Sequence, residues 1–61
     1  MKTELNSSMI KSAEWADEVL TLTWSSGQKT DFRGVPQSTY EALVAAESPG
    51  KFYHQNIKGH Y

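Results

Sequence analysis

The fold is decided by the stretch Phe32-Arg33-Gly34-Val35-Pro36-Gln37-Ser38-Thr39-Tyr40-Glu41-Ala42-Leu43, in which a strand-like run ends and a helix begins. Pro36 favours a helix start, because its fixed φ and missing N–H are harmless at the first helical position. Tyr40, Leu43 and Val44, with the stem of Glu47, form one stripe at three- and four-residue spacing. The sequence therefore predicts a helix whose apolar stripe covers the strands before it.

Two strands of an antiparallel meander are predicted directly upstream of this helix. Leu20, Leu22 and Trp24 recur at period two with threonines between them, as a half-buried strand requires. Ser25-Ser26-Gly27 supplies turn chemistry, and residues 28–32 return as the next strand. The Leu20, Leu22 and Trp24 row is expected to face the core.

An earlier strand is predicted from about Ser8 to Trp15, where the alternation is imperfect. Met9, Ala13 and Trp15 fall on one side and Ile10 on the other, which is typical of a strand covered in part on both faces. Residues 1–7 are polar and without periodicity, so we expect a flexible N-terminal lead-in there. A single domain over residues 8–61 follows.

A second, short helix is predicted from Pro49 to Asn56. Ser48 can cap it, and the residue before a proline is disfavoured in α geometry, so the first helix ends there. A helix this short needs tertiary support, which Phe52 and Ile57 would supply by docking on the rest. The expected fold is α+β: a three-stranded antiparallel β-meander followed by two short helices packed on one face.

Composition restricts the function classes. The chain of 61 residues has no cysteine, so disulfides and thiolate ligands are excluded. No run has signal-peptide character or the roughly 18 to 20 apolar residues of a membrane span, so we expect a cytoplasmic protein without a membrane partner.

Charge is unevenly distributed along the chain. Residues 1–48 hold four Lys or Arg and seven Asp or Glu, for a net charge of −3, whereas residues 49–61 hold two lysines and no acid, for a net charge of +2. The C-terminal end is locally basic.

The chain resembles the KTSC domain, a module of similar length named after the C-terminal segment of some lysyl-tRNA synthetases. The likeness is carried by Ser8-Met9-Ile10-Lys11, by Gly34-Val35-Pro36 followed by Tyr40-Glu41-Ala42-Leu43, and by Ser48-Pro49-Gly50-Lys51-Phe52-Tyr53 with Ile57-Lys58-Gly59-His60-Tyr61. Members of that family occur both as small free-standing bacterial or phage proteins and as appended domains. The resemblance therefore implies a small free-standing protein of this kind. The family's activity is undetermined, and the synthetase context suggests RNA binding. One departure is Thr30-Asp31-Phe32, where the family has a Tyr-x-Tyr-like element, so an aromatic residue is lost.

The candidate nucleic-acid site combines cations that can neutralise phosphates with rings that can stack on bases. Its residues are Phe32, Arg33, Lys51, Tyr53, His54, Lys58, His60 and Tyr61. A purely structural role accounts for the same residues if Phe32, Phe52 and one face of Tyr53 close the core and the lysines are solvated. RNA or single-stranded nucleic acid is the partner that the first interpretation predicts.

Catalytic and metal sites are not predicted. His54 and His60 are six residues apart with no acidic residue after Glu47, which lacks the spacing and partners of a metal site. The serines have no nucleophile-elbow context, and Glu14, Asp17, Glu18 and Asp31 are explained as solvent-facing strand and turn charges. We expect a non-enzymatic protein without a cofactor.

A protein-interaction module is the alternative hypothesis. Trp15 and Trp24 are hard to bury together in so small a domain, and a half-exposed tryptophan is a frequent interface anchor. A three-stranded sheet also has two open edges that can recruit another chain, so dimerisation stays open.

Overall fold

The computed structural model describes all residues 1–61. Four strands form one antiparallel sheet in the order β1-β2-β3-β4, and two helices follow them. The elements are β1 (Lys2–Glu4), β2 (Ile10–Ala16), β3 (Val19–Trp24), β4 (Lys29–Arg33), α1 (Gln37–Ala45) and α2 (Pro49–Asn56). The α+β class, the antiparallel sheet and the two helices are confirmed, but the predicted number of strands is wrong, because there are four.

The additional strand is β1, at the N-terminal end. It pairs antiparallel with β2, with Lys2 opposite Glu14 and Glu4 opposite Ser12. Its sequence Lys-Thr-Glu has no apolar alternation, so the sequence alone carried no strand signal. Backbone pairing and one side-chain contact hold it, since Thr3 Oγ1 lies 2.7 Å from Tyr40 Oη on α1. Flexibility of residues 1–7 and a domain start at residue 8 stay predictions.

Ile10 lies on the opposite face of the sheet from the one predicted, because β2 contains a β-bulge. The pairing with β3 shifts between Ile10 and Ser12, leaving Lys11 without an opposite residue. The extra residue reverses the alternation, so Ile10 joins Ala13 on the helix-covered face, and both are fully buried. Period-two counting assumed an unbroken strand and therefore placed Ile10 on the opposite side.

The β2–β3 connection is a two-residue hairpin turn. Asp17 and Glu18 lie between the paired residues Ala16 and Val19 and have φ of 51° and 64°. Positive φ at both central positions is the signature of a type I′ turn, which usually takes Asn-Gly. The tight turn sets the register that places Trp15 opposite Leu20 and Ala13 opposite Leu22.

Both helices begin and end close to their predicted limits. Pro36 is the N-cap of α1 with φ −69° and ψ 153°, one residue earlier than the first helical position predicted for it. Ser48 caps α2 as predicted, because its hydroxyl accepts from the Lys51 N–H, and Pro49 is the first helical residue. Neither helix is long and apolar enough to cross a membrane.

The core lies between one face of the sheet and the two helices. Leu20 and Leu22 are fully buried and Trp24 is half-buried against them, as the period-two pattern predicted. The buried apolar side chains are Ile10, Ala13, Leu20, Leu22, Val35, Tyr40, Leu43 and Ile57. The opposite sheet face has no helix over it and carries polar rows such as Glu14, Thr21 and Asp31.

Candidate nucleic-acid interface

A contiguous group of rings lies where β3 and β4 meet α2. Tyr53 is at its centre, with ring centroids 5.0 Å from Trp24, 5.8 Å from Phe32 and 5.3 Å from His54. All three contacts are edge-to-face, the geometry that aromatic quadrupoles favour. We call Trp24, Phe32, Tyr53 and His54 the aromatic edge.

Local sequence explains how each ring reaches this place. Trp24 ends β3 on the face that carries Leu20 and Leu22, and Phe32 on β4 lies directly opposite Leu20. The Ser48 cap and Pro49 fix the start of α2, which sets the direction of Tyr53. A hydrogen bond of 2.9 Å from Trp24 Nε1 to Thr30 Oγ1 holds the indole ring over β4.

The aromatic edge is half open to solvent. Trp24, Phe32 and Tyr53 are partly buried and pack against the core, whereas His54 is exposed. The rings therefore serve two purposes: their inner surfaces close the core, and their outer surfaces are available for contact. Part of the structural alternative holds, because Phe52 also packs against the core.

The predicted cations are exposed and make no internal hydrogen bonds. Arg33, Lys51 and Lys58 are exposed to solvent, and no Lys or Arg side chain donates a hydrogen bond within the domain. Lys51 and His54 are one turn apart on α2, and Lys58 follows in the turn after the helix. The two exposed lysines therefore lie near opposite ends of α2, the helix that carries Tyr53 and His54.

The structure brings together only part of the predicted set. Phe32, Tyr53 and His54 are in contact, but Arg33 follows Phe32 on the strand and so projects from the opposite, uncovered sheet face. His60 and Tyr61 lie beyond Gly59, a turn residue with φ of +84°, and both are exposed. The His60 N–H bonds back to the Ile57 carbonyl, and neither ring contacts the group around Tyr53.

Trp24 is the member that the site prediction from sequence missed. The sequence identified it as a core-facing residue and as a possible protein anchor, but not as a neighbour of Tyr53. The available signal was that Trp24 is the last residue of a strand that alternates with period two, directly before a polar turn. Its distance from Tyr53 in sequence conceals the contact, which only the docking of α2 produces.

Enclosed or metal-binding sites are absent from the domain. No pocket is present, and no group of three or more His, Cys, Asp or Glu could hold a metal ion. The candidate site is thus an open surface made of rings and flanking cations.

These features define a small two-layer α+β domain with an aromatic patch at one sheet edge. The family model of the KTSC domain matches residues 6–61, nearly the whole chain. The chain therefore belongs to the KTSC domain family, which confirms the resemblance found in its motifs. A comparison with curated proteins gave no match. The family match itself identifies no ligand.

Proposed function

We propose that this protein is a non-enzymatic binding module that contacts RNA or single-stranded nucleic acid through the aromatic edge. The observation that supports it best is the Tyr53-centred cluster, because four rings meet at a partly exposed surface and two of them are on α2, which has an exposed lysine near each end. A cytoplasmic setting in a bacterium or phage-infected cell belongs to the same proposal, since the resemblance to synthetase-appended domains points there.

Stacking would supply the main favourable contact. A base that stacks on an aromatic side chain contributes about 1–3 kcal/mol, and such contacts tolerate any base because each has a π-face. His54 is the exposed ring of the cluster and would be the first to meet a base. Because His54 is the one exposed ring of the four, weak and sequence-tolerant binding is expected.

Electrostatics would guide the phosphates along α2. Lys51 and Lys58 lie in the segment of charge +2, which would attract the phosphates of a nucleic acid. Residues 1–48 carry −3 and would repel those phosphates elsewhere on the surface. For single strands the slope of log affinity against log salt is about −0.7 per neutralised phosphate. Contacts from Lys51 and Lys58 therefore predict a slope of about −1.4.

Fluorescence anisotropy with a labelled short oligouridine tests the proposal. Affinity should fall as salt rises, and His54→Ala should weaken binding about fivefold or more through the lost stacking. Lys58→Ala should reduce the salt slope by about 0.7. The matched control is Lys11→Ala, which removes the same charge at the exposed bulge of β2 and should leave binding unchanged.

The proposal fails if wild-type protein does not bind the oligonucleotide at low salt. It also fails if Lys11→Ala and Lys58→Ala weaken binding equally, because general charge and not this edge would then account for the interaction.

A protein-interaction module is the second candidate, through a sheet edge or the exposed side of Trp24. The supporting observation is that β4 ends the sheet and no strand pairs with its outer side. A pull-down from nuclease-treated extract separates the candidates. Partners that survive nuclease favour protein interaction, and an empty bait disfavours it.

A further inference from the structure

The outer side of β4 has free backbone groups at alternate residues. Trp24 N–H donates to the Gln28 carbonyl, so alternate pairs along the β3–β4 ladder, including Leu20 with Phe32, exchange hydrogen bonds. Lys29, Asp31 and Arg33 fall between those pairs, and their N–H and C=O groups point away from β3. These are the groups through which another strand would bind.

We propose that β4 pairs antiparallel with β4 of a second copy of this chain, with the two-fold axis at Phe32. Asp31 then lies opposite Arg33 of the other copy, and the symmetry repeats this pair on the other side of the axis. The residues with outward-pointing backbone groups are thereby matched, and opposite charges face each other at both positions. The proposed dimer identifies a second copy of this chain as the partner in the protein-interaction function, and it does not depend on nucleic-acid binding.

A two-fold axis at Asp31 is disfavoured by charge. It would place Asp31 opposite Asp31 of the other copy, and Lys29 opposite Arg33. Every pair on the sheet face that carries these residues would then have like charges. Like charges directly opposite each other destabilise a sheet.

An axis at Thr30 also matches opposite charges, by pairing Lys29 with Asp31, but it is the weaker arrangement. It places an exposed threonine at the centre, which offers less apolar surface for contact across the axis than a phenylalanine does. The Phe32 axis instead brings two half-buried rings together at a non-hydrogen-bonded pair, where opposite side chains are closest. It also uses arginine, whose planar guanidinium binds a carboxylate with two hydrogen bonds.

The pairing would join the two sheets and place both helix layers on the same side. The two aromatic edges then become neighbours across the axis, since Phe32 belongs to each of them. The paired strands are short, because Gly34 with φ of +72° ends β4 and Val35 turns into the core. A small contact predicts a weak, concentration-dependent dimer that salt dissociates further.

Sedimentation analysis over a concentration series, at low and high salt, tests this dimer. Arg33→Asp places carboxylates against carboxylates at both pairs and should weaken dimerisation by about tenfold or more. Asp31→Arg combined with Arg33→Asp exchanges the two charges and should restore the wild-type dissociation constant to within about threefold. Circular dichroism confirms that each variant is folded.

Lys29→Asp is the matched control, since it changes net charge as Arg33→Asp does. In the proposed register Lys29 has no partner, because position 35 opposite it lies in the core. Lys29→Asp should therefore have a much smaller effect than Arg33→Asp. A wild-type chain that stays monomeric at every concentration overturns the proposal. So does a Lys29→Asp effect as large as that of Arg33→Asp, or a double exchange that fails to restore the dimer.

Discussion

Replacing Glu18 by glycine should stabilise this domain, although it removes a side chain from an already small protein. Glu18 has φ of 64° and follows Asp17, which has φ of 51°. An L-residue in the left-handed region is strained by about 1–2 kcal/mol, and glycine is not. Asp17 is better tolerated, because the short side chain of aspartate can hydrogen-bond locally in this conformation. Glu18 is therefore the more strained position.

The expected net gain is about 0.5–1 kcal/mol. Relief of about 1–2 kcal/mol in the folded state is partly offset by the greater freedom that glycine gives the unfolded chain, about 0.4–1 kcal/mol. In a domain of this size, 1 kcal/mol shifts the melting temperature by roughly 4–8 °C. Glu18→Gly should therefore raise the melting temperature by a few degrees.

Thermal unfolding followed by circular dichroism measures this change. Glu18→Ala is the control, because it removes the same carboxylate but keeps a Cβ at the strained φ. The reasoning is refuted if Glu18→Gly melts at or below the wild-type temperature. An equal rise in Glu18→Ala would refute it too, because loss of charge and not backbone strain would then be the cause.

Five further substitutions test the packing and its hydrogen bonds. Leu43→Ala should cost about 2–5 kcal/mol, most of the stability of so small a domain, and unchanged thermal unfolding would contradict the core described here. Trp15→Phe loses the 2.8 Å bond from Nε1 to the Val35 carbonyl and should cost about 1–3 kcal/mol in chemical denaturation. Trp24→Phe loses a bond to the exposed Thr30 and should cost less; the reverse order would contradict this. Tyr40→Phe and Thr3→Val should each cost about 1 kcal/mol and be non-additive, whereas additive effects would mean that the Thr3–Tyr40 bond contributes nothing.

Sequence reasoning found the elements whose signals are local. The period-two row that ends at Trp24 identified β3 and its buried face, and the Ser48-Pro49 pair identified the start of α2. A cap or an alternating strand depends on neighbours within a few residues, so the sequence carries the whole signal. The family was also recognisable, because its motifs are short and ordered along the chain.

Sequence reasoning missed the features that depend on distant partners. Lys2–Glu4 forms a strand only because β2 offers an edge and Tyr40 a hydrogen bond, and neither is visible in a polar tripeptide. The bulge at Lys11 is equally hidden, since only the pairing with β3 reveals that the alternation slips there.

The amino-acid sequence by itself determined the α+β class, the buried row of β3 and the limits of the second helix, because periodicity and capping are properties of adjacent residues. Tertiary structure alone decided the fourth strand, the side of Ile10 and the meeting of Trp24 with Tyr53. The physical reason is that contacts between residues far apart in the chain form only once sheet and helices have packed, and no local pattern encodes where they meet.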